Sequence, residues 1–329
     1  MNIAFIEPHI AVCGGIRRVI EFSNRLIERG HTVTWFIPEW VYASNQRGGW
    51  MKQLFNVYSL ASIESLKSTG VKYDVVIFNE ETQFSIAKLF PATVRVYYAL
   101  HWAVLHKDYN MLRNCYNGGF YIMANSSWTA DAMLLETSAR PPIVYGGVTE
   151  ELFHPVHVPK QYDILAYGAT RAWKGMETVH QIVNKLKEED SQLSFMKFGD
   201  NSGIKQTEMA EAYGACRVYL SASWYEGWGW CALESMACGT AVVMSDDGGC
   251  RDYAKDGYNC LMYPARDVEK AVYCIKKVLN DRKLEERLVQ NGLETASRFK
   301  WEPEVVKMEE LFLKWHGERT KQIASCSQK

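Results

Sequence analysis

Apolar positions along this chain keep two rhythms. Short runs at 2–6, 31–38, 74–78, 94–100 and 120–124 each predict a strand, while the segments between them place apolar residues three and four apart. The first of these segments sets Ile16, Val19, Ile20, Leu26 and Ile27 on one helical face and closes at Gly30. Strand and helix in alternation predict an α/β fold with a mostly parallel sheet. Gly14-Gly15 stands in the first strand-to-helix turn, without the fuller glycine pattern or following acid of a dinucleotide site. The 94–100 strand runs into His101, at the strand end where open α/β sheets take ligands.

The rhythm breaks at HPVHVPKQ, residues 154–161, which has two prolines and no period and reads as a linker. Beyond it the pattern restarts with a strand at 162–168, a loop holding Arg171 and Lys174, and a helix. Further strands follow at 193–200, 216–223 and 240–245, then three helical patterns. A first domain over 1–157 and a second over 158–305 follow from this, with a final helix and tail over 306–329 whose polar residues beyond Gly317 are expected to fray.

The richest stretch is 221–252, SASWYEGWGWCALESMACGTAVVMSDDGGCRD. A strand ends in a turn where Gly227 and Gly229 alternate with Trp228 and Trp230. A helix follows, closes at Gly239 and leads straight into another strand. Such a unit offers a helix N-terminus to an anion. Glu226 and Glu234 stand on it with seven residues between them. With the helix starting near Trp228, Glu226 faces the space above the strand ends, Glu234 lies about a turn and a half along, and both reach one ligand. Arg171 and Lys174 precede a helix start, where two cations oppose the dipole unless an anion bridges them. Two solvated charges are the other reading of the same spacing. For Trp228 and Trp230, sugar stacking and core packing both suit the pattern.

Composition narrows the classes. A formal charge of -1 over 329 residues gives no reason to expect a nucleic-acid partner. No apolar run nears the roughly 18 residues of a spanning helix, and the first residues read as a strand rather than a signal peptide. Nine cysteines without CxxC or zinc spacing, several of them in apolar elements, fit a reducing, cytoplasmic setting. The stretches 47–55 and 102–116 mix aromatics with Lys and Arg, a pattern that suits ordinary loop or helix surface and also peripheral contact with an inner membrane face or a lipid-linked acceptor.

The run EGWGWCALESMACGT resembles the E-x7-E signature of retaining GT-B glycosyltransferases, specifically the family numbered GT4. That resemblance implies two Rossmann-like doubly wound domains facing a central cleft, with the last helix crossing back to the first domain. It implies that Glu226 holds the transferred sugar and Glu234 the ribose of the nucleotide, while the amides of Gly227, Trp228, Gly229 and Trp230 face the diphosphate. Lys174-Gly175 matches the family's diphosphate-binding lysine. The arginine that usually follows the strand's glycine is Ala169 here, with Arg171 two residues on. Gly14-Gly15 stands where family members approach the donor phosphates, and His101 where a histidine contacts the donor sugar. Asp252 occupies the place of a glutamate in a Gly-Gly-x-x-Glu turn.

The activity so implied is retaining, metal-independent transfer from a nucleotide-sugar to a glycan or lipid-linked acceptor, with no cofactor and no protein base. In such enzymes the leaving phosphate oxygen takes the acceptor's proton. The alternative is a catalytically degenerate nucleotide-sugar or glycan-binding partner of another transferase, toward which Ala169 and Asp252 point. A nicotinamide-dependent oxidoreductase is excluded by the incomplete glycine pattern.

Overall fold

The computed structural model describes residues 1–44, 51–68, 70–100, 110–199 and 204–327. His101, most of the 102–116 stretch, residues 47–50 and Asp200 lie outside them. The chain forms two compact units, Met1–Gly146 with Trp301–Lys329, and Gly147–Lys300.

The first unit runs β1 (Asn2–Ile6), α1 (Gly14–Glu28), β2 (Thr32–Ile37), α2 (Glu39–Ala43), β3 (Asn56–Ser59), α3 (Ile63–Ser68), β4 (Tyr73–Phe78), α4 (Phe84–Leu89), β5 (Ala92–Ala99), α5 (Asn110–Asn117), β6 (Tyr121–Ala124) and α6 (Ser127–Thr137). All six strands are parallel, in the order β3-β2-β1-β4-β5-β6. Helices cover both faces of such a sheet, which is why β1 and β4 read as unbroken apolar runs. Ala4, Ile6, Val76 and Phe78 are fully buried. Ser126 caps α6 by accepting from the Thr129 amide at 3.1 Å, one of the two serines expected to do so.

Strand order reverses between β1 and β4, the topological switch point of this sheet. Glu7 and Asn79 follow those two strands directly, and the Asn79 amide donates to both Glu7 oxygens at 3.0 and 2.9 Å. Burial pushes the Glu7 carboxyl well above its ordinary range.

The second unit runs β7 (Tyr162–Gly168), α7 (Met176–Glu189), β8 (Phe195–Gly199), α8 (Met209–Gly214), β9 (Cys216–Ser221), α9 (Trp230–Ala237), β10 (Ala241–Ser245), β11 (Leu261–Tyr263), α10 (Val268–Asn280) and α11 (Arg282–Ala296). Its five strands are parallel in the order β11-β10-β9-β7-β8, so the switch point lies between β7 and β9. The loops leaving those two strands carry Arg171, Lys174 and Glu226.

The units divide at Gly146/Gly147 rather than at 157/158. Residues after Gly147 pack on the second unit: the Val148 amide donates to Phe299 O at 2.7 Å, and a Cβ on Gly214 would meet Val156 at 2.7 Å. The final helix, α12 (Trp301–Ser327), begins five residues before the expected boundary and packs with α1, β4 and β5 of the first unit. Trp301 sets its ring edge-on to Phe22, with centroids 5.3 Å apart. Glu309 of α12 accepts from His31 at 2.7 Å and pairs with Arg29 at 2.6 Å. The expected fraying beyond Gly317 is not what the structure has: α12 continues to Ser327, and the Tyr121 hydroxyl donates to Glu318 at 3.2 Å. Polarity there marks an exposed helical turn rather than a broken one.

Candidate functional site

The loop after β7 makes a single 3-10 turn, Ala172–Lys174, before Gly175 opens α7. Gly175 has φ 68°, and a Cβ there would sit 1.9 Å from the Ala222 carbonyl oxygen. Only glycine permits that approach. It presses the Lys174 turn against the loop leaving β9, where the Trp224 amide donates to Trp173 O at 2.7 Å. Two segments some fifty residues apart in sequence are thereby held as one.

Their side chains meet. Lys174 Nζ donates to Glu226 Oε1 at 2.6 Å, and the Ser223 hydroxyl donates to the same oxygen at 2.7 Å. Burial alone would depress the Lys174 ammonium, but the Glu226 carboxylate outweighs it and the net shift is upward. The pair is 18% and 17% exposed, half withdrawn from water yet open to a ligand.

Glu226 is clamped by backbone as well. Its amide donates to Asp247 O at 2.9 Å and its carbonyl accepts from the Gly249 amide at 3.1 Å. Gly249 is needed for this, since a Cβ on it would lie 2.4 Å from Glu226 O. Beneath the turn sits Asp247, 2% exposed. Its Oδ1 accepts from the Cys250 amide at 3.0 Å, and Oδ2 has no hydrogen-bond partner among the described residues. Burial, then the neighbouring Glu226 charge, push this carboxyl up and favour its neutral form.

Helix α9 starts at Trp230, two residues later than the sequence suggests, with Gly229 at φ 78° as its N-cap. No side chain caps it, and no acid stands in its first turn. Its leading amides and dipole are therefore arranged for an anion. The Tyr253 hydroxyl donates to Gly229 O at 2.6 Å and holds the turn. The Trp228 ring is 2% exposed, edge-on to Tyr253 and Phe299 with centroids 5.5 and 5.4 Å apart, so the indole is core while Trp230 is half-buried. Glu234 is 4% exposed and accepts from the buried Tyr213 hydroxyl at 3.1 Å. Because α9 begins late, this acid lies only at the fifth helical position and is tied to the unit's interior.

Lys174, Glu226 and the α9 turn are thus gathered at one switch point. Arg171 lies beside them with its guanidinium 5.7 Å from the Trp173 ring centroid. Gly14 and Gly15 belong to the first unit, at the start of α1, whose amide at Ile16 donates to Cys13 Sγ at 3.5 Å. Sequence reasoning gave no role to Asp247, and it overlooked Ser223 and Tyr253 as supports of the turn. The signal for Asp247 was weak, a pair of carboxylates just after a buried strand. Among the described residues no three His, Cys, Asp or Glu side chains gather as a metal set, and no helix is long and apolar enough to cross a membrane.

Residues 201–295 match the family described as "Glycosyl transferases group 1", a stretch that holds Glu226 and Glu234 but not Lys174. The chain is 35% identical to a D-inositol 3-phosphate glycosyltransferase of Stackebrandtia nassauensis over 94 residues, 29% of this chain and 21% of that protein. The matched part thus spans about a fifth of that relative's length. An uncharacterized glycosyltransferase of Methanocaldococcus jannaschii is 23% identical over 64% of this chain and 68% of its own. Among solved structures, Anabaena HepE in complex with UDP and glucose superposes with a TM-score of 0.74 at 15% identity, over 95% of this chain and 100% of that one. The chain therefore has the GT-B fold of two Rossmann-like units, and residues 201–295 of its second unit are similar in sequence to glycosyl transferases group 1.

Proposed function

We propose that this chain is a retaining glycosyltransferase of the GT4 type that works without a metal. It moves a sugar from a nucleotide-sugar donor to a hydroxyl of a glycan or lipid-linked acceptor. The observation that carries the reading is the Lys174–Glu226 pair, 2.6 Å apart beside the uncapped start of α9. A cation, a carboxylate and the leading amides of a helix in one half-buried place suit a sugar joined to a diphosphate.

Bond breaking puts negative charge on the leaving diphosphate, and fixed donors in a partly dry site stabilise it without reorganising. Lys174, Arg171 and the amides of Gly227 to Trp230 take that role. Glu226 accepts hydrogen bonds from the sugar hydroxyls and sets its orientation, with Ser223 and Asp247 holding the acid in place. Glu234 accepts from the ribose, its direction set by Tyr213. No side chain is assigned as base: a leaving phosphate oxygen takes the acceptor's proton as the hydroxyl attacks from the same face. The roles that the resemblance gives Gly14, Gly15 and His101 are part of the same proposal. The reaction is placed in the cytoplasm, at the inner membrane face when the acceptor is a lipid. UDP is the first nucleotide to try, since HepE holds UDP and glucose.

The test is a calorimetric screen of UDP, GDP, dTDP and ADP with magnesium or EDTA, followed by turnover of the matching nucleotide-sugar. One nucleotide should stabilise the chain by about 2.7 kcal/mol at a hundredfold excess over its Kd, with or without EDTA. Lys174→Met should lower kcat/KM about 100-fold, the scale of one lost transition-state donor. Glu226→Gln should act on sugar transfer more than on nucleotide binding, and Glu234→Ala on nucleotide binding. Proton NMR of the product should show the donor's anomeric configuration. Binding without turnover would select the degenerate-partner reading, and an inverted product would end the retaining one.

A further inference from the structure

Two aromatic rings stack beside the Lys174–Glu226 pair, and a third aromatic residue is tied to them through its backbone. Trp173 and Tyr225 stack with centroids 6.2 Å apart and planes at 23°. Trp224, between Ser223 and Tyr225, is bound to Trp173 through its backbone at 2.7 Å. All three are half-buried. They immediately precede Lys174 and Glu226 in sequence.

Two arginines lie on these rings. Arg266, in the turn before α10, holds its guanidinium 3.7 Å from the Trp224 ring centroid, and Arg171 lies over Trp173. Both are exposed, and neither has a carboxylate partner among the described residues. Arg29, Arg140, Arg217, Arg251, Arg282 and Arg298 are paired with acids, whereas Arg95 donates to carbonyls and Arg319 to Gln322. Arg266 also has φ 70°, a left-handed backbone that its side chain disfavours. The contact with the indole is attractive, but the left-handed backbone that delivers Arg266 to it is unfavourable. Strain of this kind collects at functional places.

We infer that Trp173, Trp224, Tyr225 and Arg266 form a subsite for a saccharide bearing an anionic group, a uronate or a sugar phosphate, on the acceptor side of the donor. Aromatic faces take the C–H faces of sugar rings, and a guanidinium takes carboxylate or phosphate in a two-pronged hydrogen bond. The acceptor assignment rests on the donor reading above. With the sugar at Glu226, the diphosphate at the α9 start and the ribose at Glu234, the base lies beyond Glu234, away from Trp224. What meets the aromatic shelf is then the group that approaches the sugar.

The test is an NMR titration of the full chain, following the indole N–H signals of Trp173 and Trp224, assigned through Trp173→Phe and Trp224→Phe. The probes are a tetrasaccharide of alternating glucuronate and N-acetylglucosamine, uncharged chitotetraose, and mannose 6-phosphate. At least one charged probe should shift both signals at concentrations tenfold or more below chitotetraose, and the two charged arms tell carboxylate from phosphate. Arg266→Gly should abolish that preference while the UDP titration stays unchanged. This variant places glycine in a conformation it favours, so a loss cannot be assigned to misfolding. Equal binding of neutral and charged probes, or an unaltered preference in Arg266→Gly, overturns the inference. UDP binding with no saccharide response overturns the subsite and leaves the donor reading standing. Saccharide binding without any nucleotide response supports the subsite and overturns the donor reading.

Discussion

At the scale of single residues, Asp247 is a buried acid whose ionisation the fold opposes. Its carboxyl is sealed under the Glu226 turn, where burial and the Glu226 charge outweigh the hydrogen bonds from Cys250 and the Lys174 charge, which favour the ionised form. The unfolded chain ionises this acid in the ordinary carboxylate range, whereas the folded chain holds the proton to higher pH. Between those two values the unfolded state binds fewer protons, so stability falls as pH rises, and the contribution is complete only below the ordinary carboxylate pKa. The slope for one proton is about 1.4 kcal/mol per pH unit. Asp247→Asn keeps the shape and cannot ionise. Calorimetric unfolding from about pH 5 to about pH 9 should show a shallower decline for the variant than for wild type. Glu7 is raised by burial too, but it is common to both proteins and cancels in the difference. Parallel curves would mean that Asp247 is ionised in the folded chain.

At the scale of elements, the site depends on two glycines that let loops touch backbone to backbone. Gly175→Ala puts a Cβ 1.9 Å from Ala222 O at φ 68°, a clash with main chain on top of left-handed strain. The expected cost is about 3 kcal/mol or more, read from urea unfolding. Gly257→Ala is the control: its φ is 72° but nothing lies within 4 Å, so about 1 kcal/mol is expected. Equal losses in the two variants would show that strain alone matters and that the Ala222 approach does not hold the site.

Much at this scale was legible in advance. The runs at 2–6, 74–78 and 216–223 became strands because two covered faces leave no place for polar residues. The short β3, α2 and α4 went unread, since each is half exposed or too brief to show a period. The start of α9 was misjudged by a turn's half because Gly229, not a side-chain cap, begins it.

At the scale of the whole molecule, α12 follows the second unit in sequence and belongs to the first in space. It buries Trp301, Val305, Met308, Phe312 and Trp315 there. Five such side chains at about 1.5–3 kcal/mol each are comparable to the roughly 5–15 kcal/mol that typically holds a domain together. A chain ending at Lys300 should therefore lose hydrogen-exchange protection across β1, β4 and β5 while β7, β9 and β10 keep theirs. Uniform loss in both units would mean that they fold as one cooperative body.

The sequence by itself determined the alternation of strand and helix, the two sheets and the motif that holds Glu226 and Glu234, because these depend on local periods and on residues close in the chain. Only the tertiary structure decided that Lys174 meets Glu226 across some fifty residues, that Asp247 is sealed without a partner for one oxygen, and that Glu234 turns toward Tyr213. It also decided that Arg266 lies on Trp224. Those facts depend on which loops the sheet order brings together and how closely glycine lets them approach. No local period records either one.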